Sequence, residues 1–331
     1  MRALIRIGVV LLLALLGACA RSPVLQPETA RLPARVELTR APFFPQDDYQ
    51  CGPAALATVL VHDGIASHPE QLRERVYLPG RQGSLQVELV AAARQEGRLV
   101  YPLEPHLDSI LAEVAAGNPV LVLQNLAFNW WPTWHFAVVV GYDRAREVLV
   151  LRSGVTRRLE TDFATFMRTW QRGERWAVVV TDPTRLPATA ALLPWLRAAS
   201  DLEETGQPQA GERAYRTAAR QWDTQALPWF ALGNSLHAQA DSAGAASALR
   251  RSVQLAPDFA AGWFNLSEVL AGQGCAAQAQ AARECAAALA PGDRRFRAPL
   301  GGGVRAVECA ELPVCPVQNP NSVGRGKPGP T

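Results

Sequence analysis

The chain has 331 residues, 48% of them hydrophobic and 19% charged, and a formal net charge of +3. This length allows about two domains. The arginines are scattered with no nucleic-acid motif, and no Gly-x-x-x-x-Gly-Lys-Ser/Thr loop occurs, so neither nucleic acid nor ATP is expected as a partner.

The N-terminus reads as an address. Arg2 and Arg6 flank the start, residues 7–16 form a short apolar core, and Leu16-Gly17-Ala18-Cys19 follows. The apolar run is too short to span a bilayer and reads as a signal peptide over residues 1–18. Small residues before a cysteine resemble a bacterial lipobox. That resemblance implies cleavage before Cys19 and acylation of its thiol, hence membrane attachment by a lipid anchor. Ala20, in place of an aspartate, points to the outer membrane of a bacterial envelope, facing the periplasm. Residues 19–36, rich in Pro and Arg, read as a tether.

Residues 37–184 carry mixed signals. A helix over 54–62 ends at Asp63-Gly64; a second over 85–96 is capped by Gly97; a third over 107–116 stops at Gly117-Asn118-Pro119. Apolar runs at 120–124, 136–142, 147–151 and 176–181 read as strands, the middle two joined by a turn at 143–146. Helices first and antiparallel strands later give an α+β domain. Residues 182–191 read as a linker.

Beyond it the periodicity changes. Trp229-x-x-Leu232-Gly233-x-x-Leu236 recurs as Trp263-x-x-Leu266-Ser267-x-x-Leu270, an offset of 34 residues that Ala248/Ala282, Leu255/Leu289 and Pro257/Pro291 share. Trp195, Leu202 and Ala214 fit an earlier copy. The pattern over 190–292 resembles the tetratricopeptide repeat, which implies an all-α solenoid of stacked helix pairs. Residues 293–331 form a cysteine-containing segment with a disordered tail from Pro316.

Six cysteines fit an exported protein. With Cys19 given to lipid and Cys51 to chemistry, Cys275, Cys285, Cys309 and Cys315 are disulfide candidates. Cys285 falls mid-helix and Cys275 just before that helix. Ten residues of helix span about 15 Å, beyond disulfide reach, so each pairs instead with Cys309 or Cys315. No metal site or cofactor is expected.

The chemistry centres on Gln46-Asp47-Asp48-Tyr49-Gln50-Cys51-Gly52-Pro53-Ala54-Ala55. A turn-prone segment runs into a cysteine at a helix start, where unpaired N–H groups and the helix dipole favour thiolate. His135 opens the strand-like His135-Phe136-Ala137-Val138-Val139-Val140-Gly141-Tyr142-Asp143. These residues, with Gly83-Ser84-Leu85, resemble the bacteriocin-processing (double-glycine leader) cysteine peptidases, family thirty-nine, which have a papain-like fold. The resemblance covers roughly residues 45–180. It implies a papain-like α+β domain with Cys51 as nucleophile, His135 as base and Gln46 as an oxyanion donor, Gln50 competing for that role. The family expects an Asp-Pro on the strand after the histidine. A turn centred between Arg144 and Ala145 puts Gly154 opposite His135, within a residue. Leu151-Arg152-Ser153-Gly154 offers no carboxylate there, only Ser153. Asp143 reads as a turn residue, and Asp162 has no visible route to His135. His62 and His68 read as solvated, while Trp130, Trp131 and Trp134 suit a cleft wall or the core equally.

The expectation is a membrane-anchored extracytoplasmic cysteine peptidase acting on a peptide or protein, with repeats that bind a protein partner. The alternative is a weak or inactive envelope adaptor working through its repeats.

Overall fold

The computed structural model describes residues 23–46, 50–301 and 309–317. The chain divides into two compact units, Met1–Ala190 and Ala191–Thr331. The stretch read as a signal peptide, Cys19 and residues 318–331 lie outside the described residues.

The first unit runs β1 (Arg35–Glu37), α1 (Cys51–His62), α2 (Pro69–Val76), α3 (Gln86–Gln95), β2 (Leu99–Pro102), α4 (Leu107–Ala115), β3 (Val120–Asn125), β4 (Trp134–Asp143), β5 (Val148–Ser153), β6 (Thr156–Asp162), α5 (Phe163–Arg172) and β7 (Ala177–Thr181). The strands form one antiparallel sheet in the order β2-β7-β3-β4-β5-β6, with β1 also paired to β4. α1 is apolar all round and buried from Gly52 to Leu60, as a central helix must be. With α2 and α3 it packs on the sheet face of Leu121, Leu123, Phe136 and Val138. Strand alternation turns Gln124 to the other face. There α5 lies on the sheet, Gln124 Nε2 donating to Thr169 Oγ1 at 2.6 Å.

Several elements depart from the sequence expectation. Part of the stretch read as tether is folded: Pro27–Arg31 is a 3₁₀ turn, and Thr29 Oγ1 and the Gln26 amide both donate to Asp108. β1 follows and pairs with Gly141–Asp143, because β4 outruns β3 and its edge there needs a partner. β6 gives no apolar alternation to read; Arg146–Glu160, Arg158–Glu160 and Arg158–Glu37 ion pairs hold it from its exposed side. Asp162 is spent on capping α5, accepting from the Thr165 amide at 2.8 Å. The stretch read as linker is pinned to the first unit as far as Thr189. The buried Glu113 carboxylate accepts from Ala188 N, Thr189 N and Thr189 Oγ1, and from Asn118 Nδ2.

The second unit consists of α6 (Leu192–Glu204), α7 (Pro208–Gln221), α8 (Ala226–Ala238), α9 (Ser242–Leu255), α10 (Ala260–Gly272) and α11 (Ala276–Leu289). Consecutive helices pack in pairs. A left-handed residue recurs in the turns at Gly206, Ala240 and Gly274, with φ of 81°, 63° and 79°. The Gln239 amide donates to Pro208 O, and Gln273 repeats that bond to Ser242 O. Gly233 lets α9 approach closely: a Cβ there would lie 2.6 Å from Leu249 Cγ. Disulfides Cys275–Cys309 and Cys285–Cys315 fasten the C-terminal segment to α11 and the turn before it.

Candidate active site

Cys51 is the first residue of α1, with Gln50 as the N-cap. It is the free cysteine among the described residues and is half-buried. Pro53 occupies the first turn, where its missing N–H removes no helix bond. Gly52 is required by packing: a Cβ there would meet Ser84 Oγ at 2.4 Å. Ser84 Oγ is itself buried with no hydrogen-bond partner among the described residues.

The thiol meets the sheet at an open edge. Leu123 N donates to Trp176 O, on the β7 side of β3. Groups on one residue of an antiparallel strand point the same way, so Leu123 and Phe136 form a non-hydrogen-bonded pair. The Phe136 N–H therefore points away from β3, toward the β5 side. There β5 ends its pairing with Arg152 opposite Val138. Gly154 follows in the left-handed region, φ 56°, and turns the chain into β6. The Phe136 amide is thus left to the Cys51 thiol. Burial pushes the thiol pKa above its ordinary 9.0, and hydrogen bonds from Phe136, Gly52 and Cys51 backbone oppose that rise. Phe136, which meets the thiol, and His135 are adjacent residues of β4.

His135 Nε2 lies 2.8 Å from Ser153 Oγ. This contact falls within one residue of Gly154, where the hairpin estimate put the partner of His135. The β4–β5 ladder ends at Val138 and Arg152, and the Ser153 side chain beyond it meets the imidazole. Burial lowers the His135 pKa below 6.5. With the proton on Nε2 donated to Ser153, the Nδ1 lone pair is the one available as a base.

Gln46 is held at the same edge. Its amide donates to Gly154 O at 3.1 Å, and its Oε1 accepts from Gly154 N at 3.0 Å. That second bond fixes the orientation of the side-chain amide and leaves Nε2 as a donor with no partner among the described residues. Behind it, buried Arg152 donates to Ala41 O and Arg157 O, tying the segment before Gln46 to the β5–β6 turn. Sequence reasoning missed the parts played by Gly154 and by the Phe136 amide, which depend on where a strand pairing stops. His62 is not simply solvated: its Nε2 lies 3.0 Å from Gly117 O. His68 caps α2, its Nδ1 accepting from the Glu70 amide. The tryptophans before His135 are exposed and form no part of the core.

Residues 38–178 match the model of the Peptidase_C39 like family. No curated protein matches the chain. Solved structures similar to it include a protein from Bacillus anthracis described as a C39-like peptidase, 17% identical over 44% of this chain and 97% of that one, with a TM-score of 0.37. The peptidase domain of Streptococcus ComA, a bifunctional ABC transporter in a quorum-sensing pathway, is 20% identical over 43% and 98%, with a TM-score of 0.34. Xylellain, a cysteine protease from Xylella fastidiosa, is 15% identical over 48% and 90%, with a TM-score of 0.33. The first unit, over residues 38–178, is thus similar to the Peptidase_C39 like family and has an antiparallel sheet, and a helical region follows it.

Proposed function

We propose that the protein is a cysteine peptidase of the bacterial cell envelope. The observation that carries this reading is the Cys51 thiol, bonded to the Phe136 amide one residue from His135. His135 Nδ1 takes the thiol proton as sulfur attacks the scissile carbonyl carbon. The oxyanion is met by Gln46 Nε2 and the Cys51 amide. The C–N bond breaks, the proton on Nδ1 passes to the leaving amine, and water then hydrolyses the thioester. Ser153 holds the imidazole in the productive tautomer.

The helical unit serves to bind a protein or peptide. Its repeated 34-residue geometry supports a tetratricopeptide arrangement, and a groove of about 540 Å³ lined by Leu196, Arg197, Phe230 and Asn234 suits a peptide. Two disulfides favour an oxidising compartment. A lipid on Cys19 would hold the chain at the outer membrane facing the periplasm. Loss of fatty-acid labelling in Cys19→Ala tests the anchor.

The peptidase is tested with the purified chain. Cys51 should be labelled by a thiol-directed reagent, and Cys51→Ala and His135→Ala should each abolish peptide cleavage while the fold is retained. Full cellular function in Cys51→Ala would instead establish the adaptor reading, which the serine in place of a carboxylate beside His135 favours.

A further inference from the structure

The hairpin between β3 and β4 carries the most exposed aromatic cluster of the first unit. Phe128, Trp130, Trp131 and Trp134 are 63%, 79%, 70% and 53% exposed. Phe128 stacks on Trp130, and Trp130 meets Trp131 edge-on. Residues 124–134 include no charged side chain. Exposed apolar surface of this kind marks a contact site.

The tip is built to present these rings. Asn125 is buried, and its Oδ1 accepts from Ala127 N and Thr133 N while its Nδ2 donates to Phe128 O. Leu126 N donates to Thr133 O, and Trp131 N to Phe128 O. From α5, Arg172 Nε donates to Asn125 O. The rings are therefore held outward by a satisfied backbone and not by a floppy loop.

The tip is continuous with the open edge. The ladder that points the Phe136 amide toward the thiol points the N–H and C=O of Trp134 the same way. Neither has a partner among the described residues. Two residues of strand separate Trp134 from Phe136, about 7 Å. An extended chain laid on this edge pairs with Trp134 beside the thiol and runs out past Trp131 and Trp130. Burying the tip and its edge in a bilayer would leave those backbone groups unsatisfied, whereas a peptide satisfies them.

We propose that residues 126–134 are the specificity surface of the same site, receiving apolar side chains of an extended peptide to one side of the bond cut. This rests on the peptidase reading for its meaning, yet binding can be measured without cleavage. The probe is a fluorescein-labelled twelve-residue peptide cleaved by the wild type, and a copy with its Leu and Phe residues changed to Ser. Both are titrated into the full-length Cys51→Ala chain, with and without Trp130→Ser and Trp131→Ser. The apolar peptide should lose about tenfold or more in affinity to the double tip substitution. The Ser-substituted peptide should bind both forms equally weakly. In the chain that retains Cys51, the tip substitutions should raise KM with little change in kcat and leave the rate of Cys51 alkylation by iodoacetamide unaltered. Equal affinity of the apolar peptide for both forms overturns the proposal. So does loss of sedimentation with phosphatidylcholine vesicles while peptide affinity is unchanged, which would make the tip a membrane contact. If the wild type cuts no peptide, a twelve-residue apolar peptide of defined sequence replaces the probe; tip-dependent binding of it then supports the hairpin assignment while refuting the peptidase reading.

Discussion

Replacing Ser153 by Asp tests what orients the base. In the present arrangement the imidazole leans on a neutral hydroxyl at 2.8 Å, and burial keeps its pKa below 6.5. A carboxylate at that position would favour imidazolium by about 1–3 pKa units. Each unit is worth about 1.4 kcal/mol. The gain is shared with Cys51, because imidazolium stabilises thiolate and offsets the burial that now raises the thiol pKa. Alkylation of Cys51 at pH 7 should therefore accelerate by about tenfold or more, the lower end of that range being set by crowding. The aspartate oxygens reach about 1.2 Å further than a serine hydroxyl, so the ring must retreat slightly. The assay is the pH profile of iodoacetamide alkylation, alongside kcat/KM on a cleaved peptide. Ser153→Asn has the same shape and no charge, and should leave the profile near that of the wild type. Ser153→Ala should slow cleavage by removing the tautomer-fixing bond. Equal profiles for the Asp and Asn variants would refute the reasoning, since charge would then play no part at this position.

Four further outcomes follow from the geometry. Cys51 is a buried thiol whose folded pKa exceeds 9.0, so above pH 9 the unfolded chain ionises first; stability to urea should fall there, and Cys51→Ala should remove that loss. His135 is the acid-side counterpart: with its folded pKa below 6.5, the unfolded state binds the extra proton as pH falls through 6.5, and His135→Gln should flatten the urea midpoint between pH 6.5 and 5. Ala240 holds φ 63° where its repeat equivalents are Gly206 and Gly274, so Ala240→Gly should stabilise the helical unit by about 0.5–1 kcal/mol, read as a higher Tm. Reducing the disulfides, which close loops of 34 and 30 residues, should cost the same unit about 3 kcal/mol for the first bond opened.

Local signals were legible where they coincide with burial. The all-apolar run after Cys51 is the central helix, and the run from His135 to Tyr142 lies in the middle of the sheet. The 34-residue spacing was legible because each copy repeats one turn and one packing contact. β6 was not, since its ladder to β5 and its ion pairs to Arg146 and Glu37 depend on tertiary register and leave no apolar period in Thr156–Asp162. β1 was hidden by its Pro- and Arg-rich surroundings; its pairing depends on how far β4 outruns β3, a tertiary fact. The tryptophans before His135 could not be assigned to core or surface from composition, because the bonds of Asn125 decide which way they face.

The site itself follows from a strand that stops. A fully paired β5 would occupy the edge of β4 opposite Phe136 and leave no amide for the thiol. Pairing ends at Val138 and Arg152, and the left-handed Gly154 turns the chain away. That single break frees the Phe136 N–H and brings Ser153 to His135. It also presents both backbone groups of Gly154 to Gln46. The groups of Gly154 that would otherwise bind β4 orient the Gln46 side chain, the proposed oxyanion donor. A residue with a Cβ at position 154 would be strained at φ 56°, although open space surrounds it. Relaxing that strain by continuing the ladder would close the edge, take the amide from the thiol and release Gln46 together. The proposed catalytic groups are therefore coupled through one backbone turn, and their separate substitutions should be non-additive.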